Sequence, residues 1–365
     1  TSIGQLAGDA YTTGHGNVAM GRGSLGANTT GYNNTSLGRV ALTVNTTGYE
    51  SVAVGAYALD ANTTGNQNTA MGYAALSANV SGARNTGLAY GALSANTGSY
   101  NTGVGYNALT ANTTGANNTA IGNEALDANT TASDNTAIGA AALGANTTGT
   151  YNVAVGAYAL DANTTGDRNT AIGFMAMKSL TTTNNCTALG YKALYTVTDS
   201  GPHNVAVGSY SMEVATSARS NTGVGDGVMR TLTTGDQNVV MGHNAMYNAT
   251  TATQNVVIGA GQVGSNVAAG FNMTTGTKNV LMGARAGTKS VAAERNVAIG
   301  FNAMEENTAS SRNVVIGAYA GDYLGASDGD GVDNVIIGDS AATNGGGNMK
   351  NNICIGIVSC NFVRS

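Results

Sequence analysis

The run Gly105-Tyr106-Asn107-Ala108-Leu109-Thr110-Ala111-Asn112-Thr113-Thr114-Gly115-Ala116-Asn117-Asn118-Thr119-Ala120-Ile121-Gly122 decides the fold. It is one copy of a seventeen-residue phrase, G-x-x-A-L-x-A-N-T-T-G-x-x-N-T-A-I, that recurs along nearly the whole chain. The closing glycine falls at Gly4, Gly21, Gly38, Gly55 and Gly72, and Ala89 takes the next slot. It returns at Gly105, Gly122, Gly139, Gly156, Gly173, Gly190, Gly208, Gly225, Gly242, Gly259, Gly283, Gly300, Gly317, Gly338 and Gly356. Most steps are 17; the exceptions are 16, 18, 21 and 24. A strict period of this length marks a solenoid, whose repeats cannot bury an apolar face alone and must stack. The expected class is therefore all-β, a parallel β-solenoid or β-roll of about 20 rungs. The period overrides the two or three domains that 365 residues would otherwise suggest. It divides the chain into a regular shaft at 1–259, a solenoid with longer loop insertions at 260–356, and a tail at 357–365.

Within the phrase, Asn118-Thr119-Ala120-Ile121-Gly122 reads as a strand whose side chains alternate between two faces. The Ile slot holds Val54, Met71, Ile121, Ile138, Val155 and Ile172, so this ladder is expected to point inward. The Ala slot is small throughout, and its face is expected outside, where another chain could approach closely. The x-x-A-L segment supplies a second core anchor, as at Leu59, Leu126 and Leu160. A-N-T-T-G is the turn, since Asn and Gly both tolerate positive φ. The Asn before each strand is expected to stack on its counterparts, as in cross-β amide ladders. Twenty rungs at the strand spacing of about 4.8 Å give a rod of roughly 100 Å. Seventeen residues per turn make that rod thin, which favours association of several chains.

Composition excludes several classes. Glycine is abundant at 53 residues, but not at every third position, so the chain is not collagen. Apolar residues recur in register, unlike a disordered chain. A net charge of −5 argues against nucleic acid as a partner. No apolar run approaches 18 residues, so no membrane-inserted helix is expected, and no charged-then-apolar leader opens the chain. The start at Thr1 reads as a processed or partial product. Three cysteines are too few for a disulfide framework. Cys354 and Cys360 are close enough in sequence to pair, with two half-buried thiols as the preferred alternative.

The strands Ser51-Val52-Ala53-Val54-Gly55 and Asn296-Val297-Ala298-Ile299-Gly300 resemble the head repeat of the YadA-like trimeric autotransporter adhesins. The seventeen-residue version with A-L-x-A-N-T-T-G is also similar to repeats of bacteriophage tail fibres. The first resemblance implies a left-handed β-roll with three chains around one axis, hence a homotrimer, an extracellular location and a role in attachment. The second implies a virion tail. Many such fibres end where a self-cleaving chaperone leaves after a serine, a product that Ser365 would suit.

Catalytic groups do not converge in the sequence. His15, His203 and His243 are far apart along the repeat and read as surface residues. Asp60, Asp127 and Asp161 share the slot after Leu and read as a solvated edge. Arg84, Arg168, Lys278, Arg295 and Arg312 precede the strand Asn and form a sparse basic line. Asp328, Asp330 and Asp333 alternate with glycines like part of a calcium loop, without its closing glutamate. Calcium is the one candidate cofactor. Insertions in solenoids often carry binding. They bring Phe271, Tyr323 and Leu324, the candidate receptor contacts. Triplets such as Asn62-Thr63-Thr64 and Asn112-Thr113-Thr114 are glycan acceptors only under a eukaryote-type pathway.

The expected function is thus a non-enzymatic structural and adhesive fibre, a phage tail-fibre shaft that meets a glycan or protein on the host surface. A bacterial trimeric surface adhesin is the alternative within the class. An ice-binding solenoid is weighed against it, disfavoured because the Thr pair lies in a turn. A polysaccharide-degrading solenoid is weighed too, though no paired carboxylates are recognisable.

Overall fold

The computed structural model describes residues 1–197, 201–261, 267–324, 331–343 and 349–360. They form an all-β parallel β-solenoid of about twenty turns, with no helix among the described residues. The chain divides into two units, Thr1–Thr182 and Thr183–Ser365. The first holds strands from Ser2–Ile3 to Thr170–Ile172, and the second holds strands from Thr187–Leu189 to Ile353–Ile355. All but the first are three residues long.

Within each unit every strand pairs in parallel with the same slot of the next turn. In the first unit Ala120 lies between Gly103 and Ala137, and in the second Ala298 lies between Leu281 and Val315. Register is held by more than the strands. The buried Asn before each strand accepts the backbone N–H of its successor on its Oδ1, as Asn118 does from Asn135 at 3.1 Å and Asn221 does from Asn238 at 2.9 Å. Its own amide donates to the turn carbonyl, as Asn135 does to Gly149 at 2.9 Å. This is the amide ladder expected from the repeat. A second ladder runs through the A-N-T-T-G turn, where the amide of Asn146 donates to Asn129 Oδ1 and to Gly149 O, both at 3.0 Å. The first Thr of each pair donates its hydroxyl to the carbonyl one turn on, as Thr147 does to Thr164.

The coil closes tightly because three positions per turn besides the closing glycine are left-handed, and in most turns all three are non-glycine. In one turn these are Glu124 (φ 53°), Leu126 (φ 50°) and Asp134 (φ 61°). Such a conformation costs an L-residue about 1–2 kcal/mol. At Leu126, full burial of the side chain offsets this by about 1.5–3 kcal/mol. The closing glycine has a different requirement. Gly122 has φ 144°, and a Cβ there would sit 2.4 Å from the carbonyl oxygen of Gly139.

The two strand faces are opposite to the expected arrangement. The Ala slot faces inward and is sealed, with Ala120 at 0 % exposure. The larger residues face outward: Met71, Ile121, Ile138 and Ile172 are exposed, and Val54 and Val155 are half-buried. Leu59, Leu126 and Leu160 are fully buried, as expected. The inversion has a steric cause. The Leu side chains already fill the narrow interior, so a Cβ at Gly103 would lie 3.1 Å from Leu93 Cγ. Only a hydrogen or a methyl group fits behind most strands of the first unit.

The second unit keeps the interior filled by moving the bulk. Several of its strands put Val257, Leu281, Val315 or Ile336 in the inward slot. The Leu slot that follows then shrinks to Gly270, Gly287, Gly321 or Ala342. A Cβ at Gly287 would lie 2.9 Å from Leu281 Cδ1. In the final turn the same two slots hold Cys354 and Cys360, and they are joined as a disulfide. This corrects the preferred reading of two free thiols. Sequence separation alone did not show that the two slots touch inside every turn.

Candidate functional site

The feature most distinct from an ordinary soluble surface is the outward strand face. In each unit it carries two columns in register. One is Thr or Val, half-buried; the other is Ile, Val, Met or Leu, largely exposed. In the first unit the second column runs through Met20, Leu37, Met71, Ile121 and Ile138, with Met71 at 46 % and Ile121 at 39 % exposure. Strands about 10 Å long at a spacing of about 4.8 Å make such a face about 500 Å² per unit. That footprint matches the largest patch of a typical monomer, which is often functional. A strand open only to water would alternate apolar with polar side chains.

The residues proposed as receptor contacts are not alike. Leu324 is fully buried in the interior slot of the second Asn ladder, whereas Phe271, 6 % exposed, stands in the otherwise half-buried slot after Leu. Phe271 stacks on Tyr247, with ring centroids 5.3 Å apart. Of the three, Tyr323 alone is exposed. Of the three calcium candidates, one lies among the described residues. Asp328 and Asp330 lie outside the described residues. Both carboxylate oxygens of Asp333 accept from Arg312, at 2.7 and 2.8 Å, and that guanidinium holds the Asp333 carboxyl below its ordinary range. Among the described residues no cluster of three His, Cys, Asp or Glu is placed to hold a metal.

The basic line is also largely engaged. Arg295 pairs with Glu294 at 3.3 Å, and Arg84 donates to Gln67 and to the Tyr100 hydroxyl. The histidines do not meet. His15 stacks on Tyr32, His243 lies 3.9 Å from Asp226, and His203 is exposed. Asp60, Asp127 and Asp161 are not the solvated edge expected of them. All three are half-buried, and burial raises their carboxyl groups above the ordinary range. Asp127 and Asp161 flank the bare Gly144, which has no side chain to separate them. The two Asn-x-Thr triplets named from the turn are not accessible acceptors. Asn62 and Asn112 are fully buried, and each amide already donates twice.

Two aromatic arrays escaped the reading of the repeat. In the first unit Tyr73, Tyr90 and Tyr106 stack along one corner just after the closing glycine, with centroids 5.3 and 5.5 Å apart. Tyr57 joins edge-on at 5.6 Å. In the second unit the Arg230 guanidinium lies over the rings of Tyr210 and Tyr247, at 4.4 and 5.8 Å, and is held by Glu213. The signal was available in the sequence. Tyr73, Tyr90 and Tyr106 each follow directly on the closing slot, so a fixed period must stack them.

No helix among the described residues is long and apolar enough to cross a membrane. No known family model matches the chain, and no characterised protein is similar enough in sequence to be matched.

Proposed function

We propose that this chain is a non-enzymatic structural and adhesive fibre that works outside the cell as a homotrimer, in the manner of a phage tail-fibre shaft. The observation that carries the reading is the outward strand face. It carries an apolar column, in register over turn after turn and exposed at most turns of the single chain, beside a half-buried Thr or Val column. A second and a third copy are the occupants it suits best. The face repeats with the same period as its own chain, so identical copies present matching ridges in every turn. Each face covers about 500 Å², and in a trimer it is shared between two neighbours, so the contacts are individually small and gain by repetition from turn to turn. A stiff array of this kind gives reach, and three copies give avidity. The disulfide in the last turn suits an oxidising location.

The mass in solution tests the proposal. Three times 36.2 kDa is expected, and a monomer across the micromolar range would overturn it.

One observation favours a second reading, an ice- or crystal-surface binder. Thr69, Thr86, Thr102, Thr119 and Thr136 stand on consecutive strands of the flat outward face and not only in turns. Thermal hysteresis shown by a monomeric protein would put this reading first.

A further inference from the structure

We propose that the tyrosine ridge of the first unit, with Arg22 and Arg39 at one end, binds an extended β-linked polysaccharide that carries carboxylates, laid along the stacking direction of the turns. The inference rests on the attachment reading above and names the class of ligand.

Spacing is the first argument. The rings of Tyr57, Tyr73, Tyr90 and Tyr106 follow one another at 5.6, 5.3 and 5.5 Å. This is close to the advance of one sugar in an extended β-1,4-linked chain. Tyr73, Tyr90 and Tyr106 lie face to face at 10 and 14°, so the ridge offers ring edges and hydroxyls, and a linear glycan meets about one of them per sugar. Few other polymers repeat hydrogen-bonding hydroxyls at that interval.

Exposure is the second argument. Tyr73, Tyr90 and Tyr106 are 50, 52 and 48 % exposed. Among the described residues their hydroxyls have no hydrogen-bond partner in the protein. The corner is also locally distinct. The same slot holds Ala140 and Ala157 farther along the unit, so stacking the coil does not require aromatic residues there.

Charge is the third argument. Arg22 and Arg39 stand on adjacent turns in the same slot, both exposed, and neither forms an ion pair among the described residues. Arg39 lies over the Tyr57 ring at 4.7 Å and donates to its hydroxyl, which joins the cationic end to the aromatic one. Guanidinium groups match carboxylates in shape and charge. A single-stranded nucleic acid is the poorer fit. Its binders track the phosphates with a positively charged groove, and here two arginines serve a chain of net charge −5.

The test is calorimetric titration of the full chain with a β-1,4-linked mannuronate hexamer, alongside a neutral β-1,4-glucan hexamer and a thymidine oligonucleotide. The mannuronate is expected to bind best. Tyr90→Ala is expected to weaken it about tenfold, and Arg39→Gln and Tyr90→Phe several-fold each, since Phe keeps the ring and loses the hydroxyl. Circular dichroism and solution mass of each variant, unchanged from the parent, keep the comparison fair. No binding of the mannuronate by the parent, tighter binding of the oligonucleotide, or equal binding by Tyr90→Ala would overturn the proposal. So would loss of oligomer mass in Tyr90→Ala, which would assign the ridge to self-association. A failed titration by a protein of trimeric mass removes the ridge proposal alone and leaves the fibre reading standing.

Discussion

Ala89 is the one residue in its series that is not glycine, and it adopts φ 111°. Its Cβ occupies a backbone region that side chains avoid, a strain of about 1–3 kcal/mol. Ala89→Gly is therefore expected to raise the stability of the first unit by about 1 kcal/mol, read as a higher urea midpoint at unchanged slope. Gly122→Ala should lower it by more, since the new methyl also meets the Gly139 carbonyl. Asp322 is a second residue with a consequence. Burial, then the charges of Glu305 and Glu306, raise its carboxyl to about 6, against an opposing pull from Arg285. Because its pKa is higher folded than unfolded, the folded state binds more protons between about pH 4 and 6. Stability falls as pH rises through that window. Asp322→Asn should thus stabilise the second unit at pH 7.5 by about 1 kcal/mol, after allowance for a half-exposed group, and do little at pH 4. Denaturation midpoints at the two pH values decide this. The strand slots teach a related lesson. Alternation at Thr119-Ala120-Ile121 was legible from sequence, but its sense was not. The rule that larger apolar residues go inside fails where a coil is too narrow for them. The persistent smallness of the Ala slot was the clue to close internal packing.

At the scale of a single turn, the core conserves volume by trading it between two slots. Leu281 with Gly287 and Val315 with Gly321 reverse the small-then-large order of Ala120 with Leu126. Leu281→Ala alone should leave a cavity costing about 2–4 kcal/mol. Gly287→Leu alone should overpack by about 1–3 kcal/mol. The double substitution should recover most of both losses, because Gly287 has φ 58° and Leu126 accepts φ 50° in the same slot. Additive losses in a double-mutant cycle would contradict the trade. The turn chemistry was the most legible part of the element. Asn, Thr and Gly in A-N-T-T-G announce their own hydrogen bonds, and the Asn ladders follow from the period. The left-handed leucines were not legible, since nothing in a leucine announces positive φ. The covalent link between Cys354 and Cys360 needed the contact between slots to be seen first.

For the whole molecule, the solenoid class followed from the period alone, whereas the surface that matters depended on which strand face is outermost. Phe271 and Leu324 show why the site was harder to read than the fold. An apolar residue near an insertion suggests an exposed tip, but Leu324 takes the interior slot of the second Asn ladder, and Phe271, in the half-buried slot after Leu, stacks on Tyr247. The outward Ile and Met columns carry the opposite message. Their exposure in one chain is a liability unless another surface covers them. Replacing Ile121 and Ile138 by Lys separates the two roles a hydrophobic ladder can have. Both side chains are exposed in the single chain, so the substitutions should leave the thermal transition of an isolated chain within a few degrees of the parent. In an assembly built on this face, charges buried at the contact would be unpaired, and the oligomer should dissociate to 36.2 kDa species. Sedimentation equilibrium together with circular dichroism reads both outcomes at once. A folded variant of unchanged mass would move the contact to another face of the coil. An unfolded variant would return these columns to the interior where the sequence first seemed to put them.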